Sequence, residues 1–196
     1  MDYRLYHAVN VFVTHHPWLG RGFGDVETFG PIVVGIATCG LWLLARPGAA
    51  SRWKLASGSA LAAGALGLLV NQMISKGWRR ERPFAVHHAH VWGARSHDPS
   101  FPSDHASAAF AIAFAVLFFD TLAGALFVGA ALLISVGRVV VGAHYPGDVL
   151  AGAAVGLACA VVVVRLARPL VALFVRIVER LTDPLLAPAW RFIGRR

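Results

Sequence analysis

Apolar residues run along this chain in long blocks, and polar residues gather in short knots between them. Residues 3–18 mix Leu5, Val9, Val11, Phe12 and Val13 with His7, Asn10, His15 and His16. That pattern is too short and too polar to cross a bilayer, so it predicts a helix lying in the interface. A glycine-broken loop over 20–24 is expected to follow it. The first spanning block covers 29–45, preceded by Asp25 and Glu27 and closed by Arg46-Pro47-Gly48. A second covers 55–74 and is rich in Gly and Ala, which let membrane helices pack closely. A third runs over 104–119, where Asp120-Thr121 breaks it; a fourth continues to 137, and a fifth runs over 146–164. Several are shorter than the ~20 residues a perpendicular span needs, so snorkelling ends or local thinning must make up the difference. Beyond them Arg165, Arg168, Arg176 and Arg180 alternate with apolar residues, the pattern of a basic amphipathic surface helix. The predicted fold is all-α: a polytopic membrane helix bundle of about five spans flanked by interfacial amphipathic helices. It divides into an interfacial helix and loop (1–24), a catalytic bundle (25–168) and a basic amphipathic tail (169–196).

Composition strengthens the membrane reading. Hydrophobic residues make up 57%, charged residues only 14%, and mean hydropathy is +0.63, whereas about a quarter of a soluble domain is charged. The formal charge of +8 does not point to nucleic acid, because the cations sit between and after apolar runs. Membrane lipid headgroups or a phosphate substrate suit them better. Arg46, Arg52 and Lys54 share a side with the tail arginines if there are five spans, and that side should be cytoplasmic. The loops 76–104 and 138–147 then face outward. These loops also hold Lys76, Arg79, Arg80, Arg82, Arg95 and Arg138, which are discounted as orientation signals if they serve a substrate.

Three knots carry the chemistry: Lys76 through Pro83, Phe101-Pro102-Ser103-Asp104-His105, and Arg138 through Asp148. Arg82 and Arg138 stand where spans end, and a planar guanidinium grips phosphate oxygens bidentately. Arg79 and Arg80 fit simple snorkelling equally well. The stretch around Ser103 opens a helix, so free N–H groups and the positive end of the dipole are available to an anion; Ser103 can cap that helix or donate its hydroxyl. His144 and Asp148 flank Tyr145-Pro146-Gly147, with Pro146 suited to a first helical turn. A carboxylate there can take the Nδ1 proton and leave Nε2 free to attack phosphorus. His105 can supply the acid for the departing oxygen. His87, His88, His90 and His97 show no metal-ligand spacing.

Taken in order, Arg82-Pro83, Pro102-Ser103-Asp104-His105 and Arg138-x5-His144-x3-Asp148 resemble the three-part signature of the type 2 phosphatidic acid phosphatase superfamily, which also includes vanadium haloperoxidases. Within it the chain looks most like the bacitracin-resistance type of undecaprenyl-diphosphatase, through His15-His16, Glu27, Asn71, Arg82-Pro83-Phe84, Ser100 through His105, His144-Tyr145-Pro146 and the basic tail. The resemblance implies a core like that of acid phosphatases and haloperoxidases. It implies His144 as nucleophile, Asp148 as its orienter, His105 as general acid, and Arg82, Arg138, Ser103 and Lys76 as the phosphate cradle. It also implies a reaction without metal or other cofactor on a polyprenyl diphosphate lipid, at the outer face of the cytoplasmic membrane.

Three departures qualify this. The family's lysine falls at Ser75 here, and Lys76 is one residue late, a turn of about 100° on a helix; Arg79 or Arg80 could substitute. Asp104 replaces the usual glycine and is expected to pair with an arginine or to orient His105. Gly137 replaces a serine before Arg138. Two rival readings are a phosphatase for another lipid (phosphatidylglycerophosphate, diacylglycerol pyrophosphate or lipid A) and a lipid or ion transporter.

Overall fold

A computed structural model describes residues 2–45, 51–87, 89–93 and 95–193; the expected Arg46-Pro47-Gly48 exit, His88 and positions 194–196 of the tail lie outside them. Eight α-helices appear among the described residues: α1 (Asp2–His15), α2 (Pro17–Leu44), α3 (Ser51–Gly77), the single turn α4 (Pro83–Val86), α5 (Asp104–Leu117), α6 (Thr121–Val140), α7 (Pro146–Val161) and α8 (Arg168–Ile193). A π-helical turn, Val162–Leu166, joins α7 to α8. Helices α2, α3, α6 and α7 with its π-turn are long and apolar enough to cross a membrane. Leucines such as Leu122, Leu126 and Leu150 stand well exposed on them, which suits lipid and not water. The protein is a multi-pass, all-α membrane bundle.

A short apolar helix, α5, is the centre. α5 packs against α3, α6 and α7, and its alanines (Ala106, Ala109, Ala111, Ala113 and Ala115) are buried. Small side chains on both partners bring the axes close. A Cβ at Gly152 of α7 would lie 2.8 Å from the Ser103 carbonyl oxygen, and one at Gly156 would lie 2.7 Å from the Ala111 nitrogen. This contact fixes the start of α7 against the start of α5, and the Ser103 N–H donates to the Asp148 carbonyl at 3.0 Å across it.

The N-terminal region departs from expectation in two ways. Residues 20–24 are not a loop: α2 begins at Pro17 and runs through them. Glycine reads as a chain breaker in sequence, yet Gly20 is there for space. A Cβ on it would sit 2.2 Å from the Trp92 ring. Nor does α1 only lie in the interface. It buries Tyr6, Asn10 and Val13 against the bundle while Leu5 and Phe12 stay exposed. Tyr6 donates to the Gly142 carbonyl at 3.3 Å, and Asn10 Nδ2 to that of His90 at 2.8 Å. The tail is helical as predicted. It is tied to the far end of the bundle by Lys54, whose ammonium contacts Asp183 at 2.6 Å and Glu179 at 3.4 Å.

Candidate active site

The knots meet at one end of the bundle, where α3 and α6 finish and α5 and α7 begin. Local folding sets each side chain. α6 ends in a glycine cap: Gly142 has φ +84, a conformation that favours glycine. The turn lets the N–H groups of Ala143 and His144 both donate to the Arg138 carbonyl, at 3.0 and 3.1 Å. Arg138 and His144 are thereby locked in register. α7 starts at Pro146, and the Asp148 carboxylate accepts the Tyr145 N–H at 2.9 Å.

His144 is 2% exposed. Its Nδ1 lies 2.8 Å from the Ser100 carbonyl. A carbonyl only accepts, so Nδ1 carries the proton and Nε2 keeps its lone pair. Arg82 Nη1 donates to that Nε2 at 3.2 Å. Burial pushes the imidazole down to about 4, Arg138 and Arg82 add to the effect, and Asp148 opposes it. His144 is therefore neutral at pH 7. The expected direct bond to Asp148 is absent, since Nδ1 and Oδ2 are 3.7 Å apart. Asp148 reaches the imidazole through Ser100, whose hydroxyl donates to Oδ2 at 2.5 Å and whose carbonyl holds Nδ1. Asp148 itself is fully buried, and its Oδ1 accepts Arg80 Nη1 at 2.7 Å.

Arg82 is buried; its Nε donates to the Asp98 carbonyl at 2.8 Å, and Nη1 also approaches the Ala143 carbonyl at 3.4 Å. Arg138 pairs with Glu27 of α2, while its Nε and Glu27 Oε2 are buried without partners among the described residues. Ser103 caps α5, its oxygen accepting from the Ala106 N–H at 3.5 Å; the hydroxyl proton stays free to donate. His105 sits half-buried in the first turn of α5 and makes no hydrogen bond among the described residues. Asp104 corrects an expectation. It meets neither an arginine nor His105, and instead accepts Asn71 Nδ2 at 2.8 Å. Asn71 is fully buried, and it also donates to the Pro102 carbonyl and accepts from Ser107. It therefore holds the start of α5 from three sides.

A cavity of about 1230 Å³ opens over this end, and Lys76, Arg79, Arg82, Asp98, Asp104 and Tyr145 are among its walls. Lys76 and Arg79 are exposed on it. They and Arg82 have no ion-pair partner among the described residues. His144, His105, Ser103 and Arg138 do not line it. Arg82 does, and it touches His144, so it stands between the cavity and the imidazole. Among the described residues no three His, Cys, Asp or Glu side chains converge on a metal-sized point. The arrangement offers a neutral imidazole with a fixed tautomer against Arg82, a buried cation with no carboxylate partner among the described residues, an environment suited to nucleophilic attack on an anionic phosphoryl group.

Residues 56–171 match the PAP2 superfamily. Over 188 residues the chain is 30% identical to "Undecaprenyl-diphosphatase BcrC" of Bacillus subtilis (strain 168), covering 94% of this chain and 95% of that protein. The fold is similar to the crystal structure of Aquifex aeolicus LpxE, with a TM-score of 0.69 and 22% identity over 84% of this chain and 94% of that one. It is also similar to the crystal structure of a transmembrane PAP2 type phosphatidylglycerolphosphate phosphatase from Bacillus subtilis, with a TM-score of 0.63 and 21% identity over 83% and 82%. The chain belongs to the PAP2 superfamily. It is a membrane-embedded lipid phosphatase.

Proposed function

We propose that the protein hydrolyses undecaprenyl diphosphate to undecaprenyl phosphate and inorganic phosphate, recycling the lipid carrier of cell-wall synthesis. The observation that carries this reading is the end-to-end likeness to the Bacillus undecaprenyl-diphosphatase. The wide cavity supports it: exposed Lys76 and Arg79 lie beyond Arg82, so two phosphates can be held in line. Arg82, Arg138 and Ser103 cradle the terminal phosphate. As the diphosphate arrives, Arg82 turns from Nε2 to phosphate oxygens and releases the lone pair. His144 Nε2 attacks the terminal phosphorus, the bond to the bridging oxygen breaks, and His105 gives that oxygen its proton. The charge of the bound diphosphate favours the protonated form of His105. Water then attacks the phosphohistidine, His105 takes its proton, and phosphate leaves. Asp148, through Ser100, holds the imidazole in its attacking tautomer.

In this reading the chain is one catalytic domain, with 25–168 as the bundle and 1–24 and 169–196 as its flanks. It lies in the cytoplasmic membrane with the site outward: with the site-end cations assigned to the substrate, the remaining basic residues, Arg52 and Lys54 with the arginines of the tail, mark the opposite end as cytoplasmic. The test compares purified wild-type and His144→Ala protein for phosphate release from undecaprenyl diphosphate, phosphatidylglycerophosphate and lipid A in one detergent. Near wild-type turnover by His144→Ala would sink the mechanism. Faster release by the wild type from either other lipid would overturn the substrate assignment.

A further inference from the structure

Asp148 is fully buried and sits in the middle of a chain of contacts that leads out of the bundle. Its Oδ1 is held by Arg80 Nη1 at 2.7 Å. The same guanidinium reaches Asp2 Oδ2 of α1 through Nη2, also at 2.7 Å, and lies 3.9 Å from the centroid of the Tyr145 ring. The second oxygen of Asp2 accepts the Gly147 N–H at 2.9 Å. Asp2 therefore touches the His144–Asp148 segment twice, once through Arg80 and once through the backbone between the two residues. A Cβ at Gly147 would lie 2.8 Å from Asp2 Oδ2, so the loop is shaped to receive this carboxylate.

The rest of α1 is built to deliver it. Asp2, Tyr6, Asn10 and Val13 recur on one face at helical spacing. Tyr6 is hydrogen-bonded to Gly142, the residue that turns the chain toward His144, and its ring meets Tyr145 edge-on with centroids 5.4 Å apart. Asn10 both donates to the His90 carbonyl and accepts its N–H, at 2.8 and 3.2 Å. Arg80 lines the cavity, but the two terminal nitrogens are committed to carboxylates. Its planar fork suits bridging two carboxylates; an ammonium cannot reproduce that geometry.

We propose that α1 is a strap over the active site, and that Asp2 and Arg80 are positioning residues that fix the Asp148 carboxylate and the loop carrying His144. This rests on the reading of His144 as the nucleophile. Neither residue contacts phosphate; both act through Asp148 and the 144–148 backbone.

The experiment measures kcat and KM for phosphate release from undecaprenyl diphosphate, together with melting temperature in detergent and the rate at which His144 acquires labelled phosphate. Arg80→Lys should lower kcat about a hundredfold and Asp2→Ala about tenfold, because small displacements of a reacting group are costly. KM should move by less than about threefold, as expected for loss of an interaction made only in the transition state. Asp2→Glu should regain most of the lost kcat, and labelling of His144 should slow in step with kcat. Asp2→Asn keeps an acceptor for Gly147 while removing the charge beside Arg80. It should fall between Asp2→Ala and wild type, and it carries the test if Asp2→Ala does not fold. Arg4→Gln, on the exposed side of α1, should match wild type. A raised KM with intact kcat in Arg80→Lys would mean that Arg80 binds phosphate directly, and would overturn the proposal. Unchanged kcat in the Asp2 and Arg80 variants, with His144→Ala inactive, would overturn it too while leaving the active-site reading intact. An active His144→Ala protein would overturn the underlying reading.

Discussion

The two ends of the bundle each bury a cation, and they treat it differently. At the far end Lys54, 1% exposed, is enclosed by two carboxylates, Asp183 and Glu179, and lies 5.6 and 5.4 Å from the ring centroids of Trp42 and Trp190. Trp42 and Trp190 in turn hydrogen-bond Thr182 and the Leu43 carbonyl. All this attraction is used internally, and it clamps α8 to α2 and α3. At the site end, Arg82 is buried with two carbonyls and a ring nitrogen for partners, and Arg138, though paired with Glu27, leaves Nε without a partner among the described residues. A buried cation without a full complement of partners is costly to the fold. Its retention makes sense if an anionic substrate supplies what is missing. Stability is concentrated at one end, and unspent electrostatic attraction at the other.

The sharpest way to break that contrast is to swap the buried cations for methionine. Arg82→Met should lower kcat about 10³-fold, the scale expected for losing a preorganised charge on the transferring group. Its melting temperature should hold or rise, because an incompletely partnered buried charge has gone. A fall in melting temperature with activity retained would show that Arg82 belongs to the fold. The second test is pH. In the proposed mechanism His144 attacks only when neutral, and its folded-state value is pushed down to about 4. As pH rises through 4 the neutral form appears, so kcat/KM should climb tenfold per unit on the acidic limb set by His144, and fall again on an alkaline limb where the general acid His105 loses its proton. An acidic limb centred near 6.5, after correction for the substrate's own ionisation, would mean that His144 is not held in the buried environment described here. Lys54→Met is the mirror of the first test. It leaves Glu179 and Asp183 facing each other without their cation, so it should cost about 3 kcal/mol of stability. A denaturation series should show that loss, with kcat at low temperature unchanged.

Legibility in the sequence follows the same division. Long apolar runs announced the spans, because hydropathy over a helix length is a local property. The knots mark Arg138, His144 and Asp148 as candidates because their spacings lie within one turn or loop, and Arg82 as a cation where a span ends. What local pattern could not convey was pairing at a distance. Glu27 finds Arg138 across 111 positions, Asp2 finds Arg80 across 78, and Ser100 bridges His144 with its carbonyl and Asp148 with its hydroxyl, from 44 and 48 positions away. Glu27, Asn71 and Ser100 were all visible in the motif stretches, yet nothing in the spacing assigned them a partner. The glycines of 20–24 read as a loop because glycine signals a break in water, while inside a packed bundle Gly20 signals a tryptophan lying against the helix.

Asp104 gives the smallest and most delicate prediction. It is exposed on the cavity wall close to where the substrate's charge must come, and its bond runs to Asn71, not to a cation. Asp104→Asn keeps an oxygen to accept the Asn71 N–H and removes only the negative charge. Like-charge repulsion across a solvated gap is worth a fraction of a kcal/mol to about 1 kcal/mol, so KM for the diphosphate should fall about threefold with kcat unchanged. That gain should shrink as ionic strength rises from about 0.01 M to 0.15 M, where the Debye length drops from about 30 Å to 8 Å. A KM that rises instead would mean that Asp104 acts chiefly by anchoring the start of α5 through Asn71. In that case the amide is the poorer acceptor, and the carboxylate is there to hold the anion-binding turn in place.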